Sequence, residues 1–450
     1  MQNLDSTVVA TALPTMARAF GADPLHMNVA LTSYLLSLAV FIPVSGWMAD
    51  RYGSRQVFRI AIGVFTLGSV LCGAATSLPF LVAARIVQGI GGAMMVPVGR
   101  LLLIRSVAKS ELVAAMAWLT APALIGPILG PPVGGFIVTY ANWRWIFDIN
   151  VPIGCLGIVL VSRYVDDVRE PAPGRLDWLG LLLSGAALSC LMFGFETAGR
   201  GVLPLAATAA LMLGGLACAA LYVRHARRTE RPLLDLALMR VPTFAVSVTA
   251  GSCFRIGVGA IPFLLPLMLQ LGFGMSAVES GAVTFASAVG AMAMKPAAQW
   301  ALRSFGFRAV LGWNAVLSAA LVAAIAAFRP GWPMAAIYAL LVLGGFLRSL
   351  QFTAYNTIAY ADIPRERMSA ASSLYSTIQQ LSLTMGITVG AGALEIARGV
   401  SGREAPSLGD FSVAVLVVAG VSLCAAPFAM RLGASAGDEM SGHHKRVAAH

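Results

Sequence analysis

The chain has 450 residues, of which 58% are hydrophobic and 11% charged, and it carries a formal net charge of +11. Soluble domains hold roughly 25% charged residues, so this composition excludes an ordinary water-soluble globular protein. The apolar residues run in blocks of about 20, enough to span a hydrocarbon core, and most of the basic residues lie between blocks or at their ends, which argues against a nucleic-acid-binding patch.

In chain order the blocks predict membrane helices over roughly 2–20, 28–49, 57–77, 80–104, 111–139, 146–164, 176–197, 202–223, 243–271, 276–301, 307–328, 332–357, 367–397 and 410–431. The fold class expected is therefore an all-α integral membrane protein of about fourteen spans. The first block is short, is interrupted by Asp5 and carries Arg18. At 1.5 Å per residue the apolar stretch between those two charges supplies about half to two-thirds of a crossing. Met1 is accordingly expected to be an internal methionine, the alternative being a truncated first helix with Asp5 near the headgroups.

Basic residues gather in alternate loops: Arg51, Arg55 and Arg59; Arg100, Arg105 and Lys109; Arg163, Arg169 and Arg175; Arg224 to Arg240; Arg303 and Arg308; Arg365 and Arg367. This alternation places both termini in the cytoplasm of a bacterial-type inner membrane. Attraction to anionic lipid headgroups accounts for the net charge, with membrane lipid rather than nucleic acid as the partner.

The turn after the second block, Gly46-Trp-Met-Ala-Asp50-Arg51-Tyr-Gly53-Ser-Arg55, is charged and punctuated by glycine. A weaker copy lies 253 residues on, where Pro43, Trp47, Gly53, Arg55 and Val57 fall on Pro296, Trp300, Gly306, Arg308 and Val310. Gly91-Gly92 falls likewise on Gly344-Gly345, whereas Arg303 takes the place of Asp50. Two halves repeated in parallel are a transporter plan. The expected organisation is an N-terminal six-helix bundle over 1–165, a linker with two extra membrane helices over 166–240, a C-terminal six-helix bundle over 241–432 and a disordered cytoplasmic tail over 433–450.

The six cysteines lie in apolar blocks without a C-x-x-C pair, and the histidines lie at block ends or on the tail. Buried inert thiols are expected, with no disulfide framework, metal or cofactor. The sequence has no G-x-x-x-x-G-K-[ST] loop, so ATP is not expected to drive transport. Trp143 and Trp145 are expected to anchor at the outer interface.

Five segments carry a family resemblance. Leu4-Asp5-Ser6-Thr7-Val8-Val9-Ala10-Thr11-Ala12-Leu13-Pro14 resembles the first-helix motif of the major facilitator superfamily, in its fourteen-spanner drug:proton antiporter branch. Gly46 to Arg55 resembles the superfamily's loop motif, and Arg85-Ile-Val-Gln88-Gly89-Ile-Gly91-Gly92-Ala93 its fourth-helix motif. Gly126-Pro127-Ile-Leu-Gly130-Pro131-Pro132-Val-Gly134-Gly135 resembles the antiporter motif of helix five. Trp143 to Gly154 is similar to the sixth-helix entry of the EmrB/QacA-type branch, although Asp148 stands where relatives carry an apolar residue.

The resemblance implies two pseudo-symmetric six-helix bundles plus two extra helices. It further implies a monomer, not an enzyme, that exports small amphipathic compounds or drugs against protons by alternating access. A charge at the bilayer centre costs a few kcal/mol or more, so the charged residues within spans are the candidates for function. Asp5 and Arg85 are expected to pair across helices one and four, which line one cavity in the family, and to couple protons to movement. Arg255, Lys295 and Arg348, with Gln88 and Asn356, are expected around the substrate cavity. Three cations there favour an anion, so an exporter of an organic anion such as citrate is the competing reading, and a non-transporting relic or membrane sensor a third.

Gly46, Asp50, Arg51, Gly53 and Arg55, with Gly306 and Arg308 in the copy, are expected to latch the cytoplasmic ends of the halves. Asp50 would accept hydrogen bonds from arginines or from a neighbouring helix N-terminus. On helix five, Gly126, Gly130 and Gly134 share one face for close packing. With Pro127, Pro131 and Gly135, they are expected to bend the helix and set the leak-tightness and direction of exchange.

Overall fold

The computed structural model describes residues 2–21, 27–166, 174–198, 203–403 and 406–443, and the regular elements among them are all helical. The first half contributes α1 (Gln2–Phe20), α2 (Asn28–Phe41), α3 (Ser45–Tyr52), α4 (Ser54–Gly73), α5 (Leu78–Ser106), α6 (Leu112–Tyr140), α7 (Trp145–Asp148) and α8 (Asn150–Tyr164). Two intervening helices follow, α9 (Trp178–Ala198) and α10 (Leu205–Ala226). The second half contributes α11 (Pro242–Gly259), α12 (Ile261–Leu267), α13 (Ala277–Ile325), α14 (Met334–Ile358), α15 (Met368–Ser401), α16 (Leu408–Leu423), α17 (Ala425–Ala429) and α18 (Asp438–Ser441). Ten helical runs among the described residues are long and apolar enough to cross a membrane. Capping boxes start two of them, Ser276 with Glu279 on α13 and Ser407 with Asp410 on α16, each satisfying N–H groups that a helix start leaves free.

The 253-residue step survives in three dimensions. Gly53 and Gly306 both hold positive φ, 87° and 73°, which costs little only for glycine. Gly53 turns the chain between α3 and α4, and Gly306 kinks α13 at the matching place. Trp47 meets Tyr52 edge-on at 6.1 Å, and their counterparts Trp300 and Phe305 meet edge-on at 6.1 Å. A side chain added at Gly89 would come within 2.6 Å of Ser37; one at Gly290, the counterpart of Ser37, would overlap the carbonyl of Val342, the counterpart of Gly89. Each half thus brings the same pair of helices together at a glycine, with the glycine on opposite partners.

The halves meet along two seams. α6 packs on α13 and α14, and α15 packs on α3, α5 and the turn at Ile42–Val44. α9 packs on α10, on α2 and on α15, so it touches both halves. There the Thr388 hydroxyl donates to the Phe195 carbonyl at 2.7 Å.

Three expectations are corrected. The tail is folded through residue 443, with Met440 and Ser441 of α18 buried and α18 packed on α6 and α13; residues 444–450 lie outside the described residues. Trp143 is buried against Phe20 and Phe147, with the Arg144 guanidinium 4.4 Å from its ring, so it packs inside the protein, whereas an interface anchor faces lipid. Cys72 is buried, but Cys155 and Cys424 are exposed on the helix surfaces.

Candidate functional site

Asp5 sits one turn into α1 and is 2% exposed. Its Oδ2 accepts from Arg85 Nη1 of α5 at 2.5 Å. Its Oδ1 accepts from Gln88 Nε2 at 2.9 Å and from Asn150 Nδ2 of α8 at 3.2 Å. Gln88 Oε1 takes a second bond from Arg85 Nη1 at 2.6 Å, and Gln88 Nε2 reaches Ser69 Oγ of α4 at 2.8 Å. Arg85 Nε donates to the Ala30 carbonyl at 3.2 Å, and the guanidinium lies 4.2 Å from the Tyr34 ring. Five helices of one half therefore converge on a single buried ion pair. Such a pair survives burial only when its remaining valences are met, and Gln88, Asn150 and Ala30 meet most of them.

The expected pair of Asp5 and Arg85 is thus brought together. Gln88, expected on the substrate cavity, belongs to this cluster instead. Asn150, Ser69 and Tyr34 belong to it too and were missed. Asn150 stands in the Trp143 to Gly154 segment that carries the family resemblance, but neither it nor Ser69 or Tyr34 carried a signal of this role in the sequence.

The cations of the second half are distributed differently. Arg255 is 1% exposed on α11, donates from Nη2 to the Tyr375 hydroxyl and lies 5.4 Å from the Phe352 ring. Its Nε is buried without a partner among the described residues. Lys295 is buried on α13, and Nζ donates to Thr120 of α6 at 2.7 Å and to Thr353 at 3.5 Å. The lysine therefore bridges the two halves. Arg348 turns back into its own half, donating to the Gly344 carbonyl at 3.1 Å and to Ser287, so it braces α13 against α14. Asn356 is fully buried with neither amide atom partnered among the described residues.

At the end of the molecule that carries the basic loops, the halves are closed. Asp50 Oδ2 accepts from Ser369 in the first turn of α15, and Arg105 reaches Oδ1 at 3.3 Å and Ser54 at 2.9 Å. Ser372 donates to the Pro97 carbonyl and Ser373 to that of Pro43, each at 2.8 Å. A side chain on Gly46 would come within 2.7 Å of the Ser369 carbonyl, so glycine permits the approach. Arg51 and Arg308 are exposed, and Arg55 donates to the Ser162 carbonyl within its own half. The contact across the halves thus runs through Asp50 and a serine stripe rather than through those arginines. Ser369, Ser372, Ser373 and Ser376 recur at helical spacing, a signal the apolar reading passed over.

α6 runs through the proline-rich segment as one helix, with Gly130 and Gly134 buried and Gly135 exposed. Gly126, Pro127 and Pro131 lie on this helix, but their side-chain surroundings fall outside the described residues.

The Major Facilitator Superfamily profile matches residues 1–387. A relative from Citrobacter koseri, named "Putative multidrug resistance protein MdtD", is 40% identical over 395 residues, covering 86% of this chain and 82% of its own. Its namesake from Cronobacter sakazakii is 41% identical over 400 residues with the same coverage. Among solved structures, the human organic anion transporter MFSD10 matches with a TM-score of 0.66 at 12% identity, over 95% of this chain and 96% of its own. The proton:xylose symporter XylE also gives 0.66, at 14% identity, over 99% of this chain and 96% of its own.

Proposed function

Because this chain belongs to the major facilitator superfamily, we propose that it is a secondary active transporter exporting small amphipathic compounds in exchange for protons. The observation that carries the reading is the buried cluster of Asp5, Arg85, Gln88 and Asn150. A proton added to Asp5 removes the only carboxylate bonded to Arg85 among the described residues. The guanidinium is then left as a buried charge without an opposite charge, a loss of several kcal/mol. A second packing of the first half that admits water to Arg85 relieves it, so protonation favours that packing. Closure by Asp50 and the serine stripe supplies the matching element: a contact between halves that breaks when they rock apart. The name carried by the 40%-identical relatives supports drug-like substrates, and the basic loops support an orientation with both termini cytoplasmic.

A second reading has its own observation. Arg255 and Lys295 are buried without a carboxylate partner among the described residues, which favours an organic anion. Flux into everted membrane vesicles tests both. Acid-interior vesicles holding the wild type are expected to take up ethidium, and Asp5→Asn to abolish that uptake. Citrate uptake that depends on Arg255 carries the second reading. Flux of neither by folded protein overturns both and leaves the relic or sensor.

A further inference from the structure

Tyr375 on α15 is held by guanidinium groups from opposite halves. From α11, Arg255 Nη2 donates to the Tyr375 hydroxyl, with Cζ 4.8 Å from the ring centroid. From α5, the Cζ of Arg100 lies 5.1 Å from the same centroid. Arg100 is 3% exposed and reaches across the seam to neutral partners: Tyr360 and Ser376 at 3.4 Å and Gln379 at 3.2 Å. Neither arginine has a carboxylate partner among the described residues.

Arg100 can hold Tyr375 only while α5 and α15 are packed together, that is, while the basic-loop end is closed. In that state the Tyr375 hydroxyl takes an N–H of Arg255 that a ligand's oxygen would otherwise use. Arg255 keeps a further N–H, at Nε, buried and unused. An exporter must bind its substrate well when open to the cytoplasm and poorly when closed there, and only a difference in affinity between the states provides this.

We propose that Tyr375 is an internal competitor for Arg255, engaged while the basic-loop end is closed and released when α5 withdraws. The inference rests on the reading of Arg255 as a substrate residue of an exporter. Tyr375 is a positioning residue here: it sets how available Arg255 is, and Arg100 sets Tyr375.

Tyr375→Phe tests this, since it keeps the ring and the contact with Arg100 but removes the hydroxyl. The probe is dansylglycine, a fluorescent carboxylate, with binding measured in nanodiscs and proton-driven flux in proteoliposomes. Kd and KM are expected to fall about ten-fold, the factor for one hydrogen bond to a charged group, and kcat to fall because release slows. In an Arg255→Gln background the same substitution is expected to change Kd less than about two-fold, which a merely structural role would not produce. Arg100→Gln, acting from the other half, should move Kd in the same direction and serves if Tyr375→Phe does not fold. Unchanged or raised Kd in Tyr375→Phe, or an equal shift in the Arg255→Gln background, overturns the proposal while wild-type flux leaves the transporter reading intact. Wild type that carries ethidium but does not bind dansylglycine overturns the proposal alone, and wild type that does neither overturns both.

Discussion

Asp50 accepts the Ser369 hydroxyl across the two halves, and its other oxygen takes Arg105 of its own half at 3.3 Å. Ser369 lies in the first turn of α15, where unpaired N–H groups and the helix dipole favour a negative charge. Asp50→Asn removes that charge and weakens both bonds. A charge-assisted bond contributes about 1.5–3 kcal/mol, so the population open at the basic-loop end should rise at least about ten-fold. Spin-label distances between the ends of α3 and α15 check this, with Ser369→Ala moving them the same way. Distances that stay put would remove the latch assignment.

Within the first half, Asp5 and Arg85 should show strong coupling. Losing one partner of a buried pair costs about 3–5 kcal/mol, whereas replacing both with neutral groups costs far less. Asp5→Asn should therefore lower the melting temperature in detergent sharply, and adding Arg85→Gln should restore most of it. A double variant no more stable than the single would show that the two side chains do not act as a pair.

Glycine packing gives a sharper contrast. A methyl group on Gly345 would overlap the carbonyl of Ser287, and backbone cannot yield as a flexible side chain does. Gly345→Ala should cost about 2–3 kcal/mol or more and lower the yield of folded protein. Gly392→Ala, with nothing within 4 Å of the added atom, should melt with the parent.

Lys295 bridges α13 and α6 through Thr120 without an opposite charge among its bonded partners. An apolar residue of similar shape avoids the desolvation cost of a buried ammonium. Lys295→Met should thus melt no lower than the parent, yet lose flux if the amine serves a substrate. A clear drop in melting temperature would show the lysine to be structural.

The folded tail yields a final test. The Lys109–Glu439 pair is exposed, and such pairs contribute about 0–1 kcal/mol. Glu439→Gln should leave stability within error. Truncation after Leu432 strips the buried Met440 from α6 and α13 and should lower melting by a few degrees.

Much of this was readable along the chain, and the misses share one cause. Asp5 and Arg85 stood out because a charge in an apolar block is costly wherever it points. Gln88 and Asn150 could not be assigned that way, since neutral amides are tolerated in several settings and only a partner distinguishes them. Arg348 looked like Arg255 in sequence, yet it braces α13 against α14 while Arg255 meets Tyr375. The tail looked disordered because its composition is small and polar, and it folds because a glycine at 437, with φ 75°, lets the backbone lie against Phe307 and Ile358.

By itself the sequence determined the membrane class, the alternation of basic loops and the 253-residue repeat. Span length, loop charge and repeat register are one-dimensional properties, set by bilayer thickness and by position along the chain. The tertiary structure decided which polar groups meet: Asp5 with Asn150 from α8, Asp50 with Ser369 from the other half, and Tyr375 with two arginines. Those meetings depend on the rotation and depth of each helix. Almost any rotation satisfies lipid and backbone alike when a span is apolar on every side, so only the packing of neighbouring helices selects one.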